Sequence, residues 1–439
     1  MEYIKNRFFD RASKCMAEFQ RIRKDHGDVV LGQVTIDQVL SGMKGIPALL
    51  TETSKLDANE GIRFRGYSIQ ELQQKLPKLD ADGEPLPEGL FYLMLIGEIP
   101  TQEDVENLSK DWATRAHVPQ HVFDVIDALP KNSRPMTQFT TAIIAMAYDS
   151  VFQKAYRAGV GKKYYWDFMY EDVMTLIARL PRIAAYIYRR MYHNGKHIDP
   201  NPNLDWAGNL AHMMGFDSVE VKRLLRLYMV IHADHEGGNV SAHTTHLVGS
   251  ALSNAYYSFG AGMTGLAGPL HGFANQEVIS WINEMLEQIG TDVPTDEQIA
   301  DYIENTLKNG RVVPGYGHAV LRITDPRFTV QQQFAEKYIK HDKTIDVVNQ
   351  IYRVAPPILE ATGKIKNPWP NVDAISGSLL NHYGIVEHNF YTVLFGVSRS
   401  LGVLASLVYD RLYGLPIERP SSFPMSWFKE KADGKPGDC

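Results

Sequence analysis

The stretch HADHEGGNVSAHTTH, from His232 to His246, sets four imidazoles in two His-x₂-His pairs, with Asp234 and Glu236 among them. Such spacing could hold a zinc ion, which takes ring nitrogens and carboxylate oxygens from short pairs plus a distant partner. Plain helix packing produces the same pattern, because residues three apart share a helical face. No cysteine contributes, and Gly237-Gly238 marks a helix end and a turn that re-aims the following segment. Both readings stand on these residues alone.

Three later stretches offer different chemistry. In LAGPLHGFANQEV, Pro269 precedes His271, and a helix is expected to open at Gly272 or Phe273. A histidine there meets the positive end of the helix dipole, stays neutral, and can donate a hydrogen bond to an oxygen that is becoming an enolate. In KNPWPNVDAISGSLL, Pro368 and Pro370 forbid a continuous helix, and a new one is predicted to begin near Asn371 to Asp373. Asp373 is then either a cap or a general base, and its position keeps the carboxylate ionised. Between them, GRVVPGYGHAVLRITDPRF carries Gly315, Tyr316, Gly317 and His318. Glycine-rich backbone can offer N–H groups to an anion, but no Gly-Lys-Ser/Thr follows, so this is not a phosphate-binding P-loop. Arg322 and Arg327 come soon after, with Arg399 in FGVSRSLG and Arg419 in LPIERP. Any one of these could be a solvated surface charge. Several beside Gly, Pro and His suggest forked binding of carboxylates.

The elements that must position these groups are mostly helices. DSVEVKRLLRLYMVIHADHEGG has an Asp-Ser cap signal, an apolar stripe through Val221, Leu224, Leu225, Tyr228 and Ile231, and a closing glycine pair. VISWINEMLEQIG and GIVEHNFYTVLFGVSRSLGVLASLVYDRLYG repeat the pattern, while alternating strand signals are scarce. Near the N-terminus, Phe8, Ala12, Cys15, Phe19 and Ile22 recur at helical steps and predict an amphipathic helix packed on the body. KLPKLDADGEPLPEG, from Lys75 to Gly89, reads as a surface loop, and the last nine residues, KADGKPGDC, as a frayed tail. From Gly237 to Gln276 there is no Asp, Glu, Lys or Arg. Interrupting Ser, Asn and Thr argue against a membrane span and for a buried centre or subunit interface.

At 439 residues the chain is long for one core, so two domains are expected. A net charge of -6 gives no general attraction to nucleic acid, although a local arginine cluster could still receive an anion. Cys15 and Cys439 stand near opposite ends, which points to a reducing compartment rather than a disulfide framework. The N-terminal residues lack a signal-peptide core and contain acids unlike a mitochondrial presequence. They favour a bacterial cytosolic protein, with a processed chain of the mitochondrial matrix as the alternative.

The five motifs HEGGNVSAHT, GLAGPLHGFANQEV, VVPGYGHAVLRITDPRF, KNPWPNVDAISG and YTVLFGVSRSLG…LPIERP occur in that order and resemble the citrate synthase family in its eukaryotic-type branch. EGIRFRGYSI, EPLPEGLFYLML and PMTQ extend the likeness from about Gly27 to Pro420. The resemblance implies an all-α, two-domain homodimer. Its large domain would span 1–271 and 377–439, and its small domain 272–376, on the coenzyme A side of the cleft. It implies that His271, His318 and Asp373 are catalytic. His235, Arg327, Arg399 and Arg419, the last from the partner subunit, would bind oxaloacetate. Coenzyme A would meet the Val312, Val313, Pro314, Gly315, Tyr316, Gly317 and Ala319 loop, Arg322, Lys364, Lys366 and Asn371. Lys44 and Lys162 stand where relatives often carry Arg, which keeps the charge and loses the fork. The resemblance further implies no metal and no cofactor, with acetyl-CoA and oxaloacetate as small-molecule partners and no nucleic acid or membrane. The same machinery would serve 2-methylcitrate synthesis from propionyl-CoA, since one methylene is worth only about 1–3 kcal/mol in a pocket. A non-catalytic helical binding protein and a metal-dependent hydrolase are the remaining alternatives.

Overall fold

The computed structural model describes residues 2–434. Cys439 and the end of the expected tail lie outside them. Lys431 and Ala432, placed in that tail by the sequence, instead close the helix Met425–Ala432. Twenty α-helices, three short 3₁₀-helices and one three-stranded antiparallel sheet account for the regular structure among the described residues.

The helix Tyr391–Tyr413 is the central element. All its residues except Phe395 and Ser406 are buried, as a mostly apolar sequence requires. It packs against Tyr165–Tyr192, Val240–Ser250, Ala255–Leu266, Val219–Ile231 and Pro87–Ile96. By length and composition His388–Tyr413 could cross a membrane, but 89% of its most apolar window is buried in protein. The charge-free segment forms the helices Val240–Ser250 and Ala255–Leu266, packed on each other as well as on this core. The N-terminal helix runs Glu2–His26 and buries Phe8, Ala12 and Cys15, while Phe19 stacks on Tyr413 at 4.7 Å and Ile22 faces outward. A second group, Ala274–Ile289, Asp296–Lys308, Pro326–Tyr338, Lys343–Ala361 and Asp373–His382, packs together on the other side of the cleft described below.

Several local expectations need correction. The helix Val219–Ile231 is capped by the Ser218 hydroxyl, as expected, but it stops before the glycine pair. Gly237 and Gly238 belong to the turn that leads to Asn239, which caps the next helix. Only the first half of Lys75–Gly89 is a surface loop. Glu84 to Gly89 are buried, and Pro87 opens a helix because its missing N–H costs nothing in a first turn. The sheet, Ser54–Asp57, Gly61–Phe64 and Tyr67–Ser68, lies partly within EGIRFRGYSI, with Leu56 opposite Ile62 and Arg63 opposite Ser68. Strands this short carry too little alternation to stand out in sequence.

The sheet and the central helix clamp the histidine-rich stretch between them. Asp234 accepts hydrogen bonds from Thr53 Oγ1 (2.5 Å) and Ser54 Oγ (2.8 Å). On the opposite side the Gly402 N–H donates to the Ala233 carbonyl at 3.2 Å. A Cβ at Gly402 would stand 2.3 Å from Asp234 Cβ and 2.7 Å from the Ala233 oxygen. Only glycine permits this approach, which sets Arg399 beside the stretch. Gly402→Ala should therefore cost about 1–3 kcal/mol through overpacking, read as a lowered urea midpoint. Gly161→Ala, where an added Cβ meets nothing within 4 Å, should leave the midpoint unchanged.

Candidate active site

A cleft of about 370 Å³ separates the two helix groups and is lined by His235, His271, His318, Asp373, Arg327 and Arg399. Residues far apart in sequence thus meet around one space.

His318 follows Gly317 in a turn. Its Nδ1 accepts the N–H groups of Val320 (2.9 Å) and Leu321 (3.0 Å). A nitrogen that accepts twice carries no proton, so the ring proton sits on Nε2. Burial and then the Arg327 charge lower the imidazolium to about 4, so this ring is neutral at working pH.

His271 is fixed in the opposite sense. Its Nε2 accepts the Ser241 N–H at 3.2 Å and lies 2.9 Å from Ser241 Oγ, which leaves the proton on Nδ1. It is neutral as expected, but the cause differs. The helix after it starts at Ala274, and the ring meets the first turn of Val240–Ser250 instead. Burial and then Arg399 lower it to about 4.

Asp373 is the first residue of its helix and makes no capping bond, so the cap reading is set aside. Its backbone N–H donates to Asn371 Oδ1 at 3.0 Å. Burial raises the carboxyl to about 6 despite Arg327 and Arg399. The helix terminus therefore does not hold it at the usual carboxylate value, although it remains mainly ionised at neutral pH. A raised pKa suits a base better than an ordinary one.

His235 lies 5.4 Å from His318, ring to ring, and its buried Nε2 has no partner among the described residues. Burial and Arg327 hold it well below its usual pKa. Arg327 forks onto Asp325 through Nε (3.0 and 3.1 Å) and Nη2 (2.7 Å). Arg399 donates to the His232 carbonyl (3.1 Å), Asn239 Oδ1 (3.1 Å) and Ser241 Oγ (3.2 Å), and lies 4.7 Å from the Phe395 ring centre. No carboxylate bonds to it, and burial lowers it to about 10, so it stays charged. Asn239, Ser241 and Asp325 were not anticipated as site residues. Asp325 carried a signal, since Asp-Pro is a common helix opening.

The Gly315–Gly317 turn is tied to the segment before Asp373. Asn371 N–H donates to the Gly315 carbonyl (2.8 Å), Gly317 N–H to the Trp369 carbonyl (3.0 Å), and Asn371 Nδ2 to the Gly317 carbonyl (3.1 Å). Gly315 has φ +79°, and a Cβ there would stand 2.9 Å from Ala374 Cα.

The remaining expected residues divide. Ala319 and Asn371 line the cleft, and Val312 is 77% exposed at the start of its loop. Val313 is buried, and Pro314 and Tyr316 line a separate small cavity. The buried Tyr316 hydroxyl is thus turned inward, away from a ligand on the loop's outer face. Arg322 folds back on the carbonyls of Val320 (2.8 Å) and Leu321 (2.7 Å). Lys364 and Lys366 are exposed. Lys44, Lys162 and Arg419 are exposed and outside the cleft lining, with Lys162 Nζ on the Gly414 carbonyl at 3.1 Å. The four histidines of the opening stretch point to three different places. His232 packs on Tyr228, His235 faces the cleft, and His243 and His246 contact Glu418. Among the described residues, no three His, Cys, Asp or Glu side chains gather as a metal site.

The family model described as citrate synthase, C-terminal domain, matches residues 42–421. The chain is 57% identical over 415 residues to "Probable citrate synthase, mitochondrial" of Glossina morsitans morsitans, covering 94% of this chain and 89% of that one. It is 55% identical over 410 residues to "Citrate synthase 4, mitochondrial" of Arabidopsis thaliana, covering 93% and 86%. Among solved structures, citrate synthase from Pyrobaculum aerophilum superposes with TM-score 0.74 at 26% identity, covering 90% and 95%. The Thermoplasma acidophilum enzyme, solved as a ternary complex with carboxymethyl coenzyme A and oxaloacetate, gives TM-score 0.74 at 23% identity over 89% and 96%, a likeness of fold. With a cleft built from the sequence motifs and matches over nearly its whole length, the chain belongs to the citrate synthase family.

Proposed function

We propose that this chain condenses acetyl-CoA with oxaloacetate and hydrolyses the citryl-CoA formed, giving citrate and coenzyme A. The observation that carries the reading is the convergence of one raised carboxyl and two neutral imidazoles with opposite tautomers. Asp373 takes a methyl proton from acetyl-CoA. The His271 Nδ1–H donates to the thioester oxygen and stabilises the enol or enolate. The new carbanion equivalent attacks the oxaloacetate ketone, whose oxygen is polarised by the His318 Nε2–H and receives its proton. Water then cleaves the thioester. Arg327, Arg399 and the free Nε2 of His235 hold oxaloacetate. Coenzyme A lies along the Val312–Ala319 loop, with Arg322, Lys364, Lys366, Lys44 and Lys162 as candidate phosphate partners.

The segments 1–271 with 377–439, and 272–376, act as two domains that close on the substrates and exclude water. Two copies form a homodimer. Exposed Ile144 and Tyr257 sit on mutually packed helices, and nearby Tyr148 is 81% exposed, an apolar face of the kind that self-association covers. Arg419 completes the partner's cleft. The relatives' mitochondrial names support the mitochondrial matrix and give the preferred bacterial cytosol no support. No metal takes part.

Thiol release with oxaloacetate tests the activity. Acetyl-CoA should be turned over at least tenfold more efficiently than propionyl-CoA, and a chelator should leave kcat unchanged. The reverse acyl preference would make 2-methylcitrate the product, and loss to chelation would point to a hydrolase.

Asp373→Asn should still bind oxaloacetate and lose kcat by orders of magnitude. Retention of more than about a tenth, some 1.4 kcal/mol of barrier, would remove Asp373 as the base. With the carboxyl at about 6, wild-type kcat should fall as pH drops through that value, because only the ionised form accepts the proton.

The shared site is tested with hybrid dimers of Asp373→Asn and Arg419→Ala subunits. If Arg419 acts in trans, one site of each hybrid is intact. Random reassortment makes about half the dimers hybrid, so about a quarter of wild-type activity should return. No recovery, with hybrids confirmed by mass, would place Arg419 in cis or outside the site.

A further inference from the structure

His243 and His246 take no part in the reaction proposed above. Both lie on the helix Val240–Ser250 and face the irregular segment after the central helix, which carries Arg419. His243 Nε2 meets Glu418 Oε2 at 3.1 Å. His246 Nδ1 meets Asp410 Oδ2 at 2.7 Å, and its Nε2 stands 2.9 Å from Glu418 Oε1. That last contact lies off the hydrogen-bonding axis and is an ion pair. The Glu418 N–H donates to Ser250 Oγ at 3.0 Å, from the same helix.

Glu418 is therefore gripped at its backbone and at both carboxylate oxygens by one helix. Glu418 faces the helix, while its neighbour Arg419 is exposed. Arg419 is also absent from its own cleft. Pro416 and Pro420 stiffen the segment around this anchor.

We propose that His243 and His246 are positioning residues that hold Glu418 and thereby present Arg419 to the partner subunit's substrate. The proposal rests on the reading that Arg419 serves the partner's cleft. It ties the helix that follows His235 and contacts His271 through Ser241 to the arm completing the neighbouring site. The groups facing His246 are Asp410 and Glu418, with Arg411 beside Asp410 and with Asp234 and Glu236 across a small shared cavity. Both ring nitrogens meet carboxylates, so only the imidazolium satisfies them together. The Asp410 and Glu418 contacts outweigh burial and raise the His246 pKa. The grip is complete below the ordinary histidine pKa and is lost as pH rises through the raised one.

The test compares oxaloacetate KM, with oxaloacetate raised to millimolar levels where Arg419→Ala turns over, in Arg419→Ala, Glu418→Ala and the double variant, with dimer mass and melting temperature checked. Arg419→Ala should raise this KM strongly. Glu418→Ala should raise it about tenfold, leave acetyl-CoA KM within twofold, and add nothing on top of Arg419→Ala. The wild-type KM should climb at alkaline pH, and that limb should vanish in Glu418→Ala. If Arg419→Ala leaves oxaloacetate KM unchanged, the shared-site reading fails first. If only Glu418→Ala is silent, or if the two effects add, the positioning role is overturned. Should Glu418→Ala lose its dimer or its fold, His243→Ala, whose side chain is 31% exposed, is judged by the same outcomes.

Discussion

Two guanidinium charges buried beside one cleft set the terms for everything around them. Arg327 has a carboxylate fork in Asp325, but Arg399 is satisfied only by a carbonyl, an amide and a hydroxyl. Removing a cation from water without a bonded counter-charge is costly, and it leaves positive potential over the space it faces. With burial, that potential keeps His235, His271 and His318 neutral. It also limits how far burial can raise Asp373. The dianionic substrate of the proposed reaction would supply the negative charge that the protein withholds. Proton states and ligand preference thus follow from one electrostatic deficit.

The histidine-rich stretch shows why residue spacing alone misleads. His-x₂-His arithmetic assumes one continuous helix, but the chain leaves its helix at Ile231 and enters another at Val240. The intervening turn parts the first pair of rings from the second, which shares Glu418. His232 packs on Tyr228 and lends its carbonyl to Arg399, while its neighbours Ala233 and Asp234 are pinned from two sides. Gly402 is the residue that permits this pinning, and nothing near it in sequence announces the contact.

The cleft-lining set of His271, His318 and Asp373 was legible because its members sit at punctuation. His271, His318 and Asp373 each follow a Pro or Gly break, where sequence states both the residue type and the local geometry. The supporting partners were not legible. Ser241 reaches His271 across thirty residues of chain, and the backbone amides that set the His318 tautomer have no residue signature. Helix types and the central apolar helix could be read from periodicity. The short sheet could not, because a four-residue strand contributes only two residues to each face. The Pro-rich loop misled for a different reason, since buried prolines at a helix opening have the same composition as exposed ones in a turn.

The cross-links between the Gly315–Gly317 turn and Trp369–Asn371 have a consequence for timing. They splice His318, the ketone-polarising ring of the proposed mechanism, and Asp373, its proposed base, into one mechanical part. His271 and Arg399 belong to another, joined through Ser241. Motion between the parts would separate the enol-stabilising donor from the base in a single stroke, leaving neither half able to activate a thioester alone. On the proposed mechanism the cleft would behave as an interlock, arming a costly acyl donor only when both parts have seated around the acceptor.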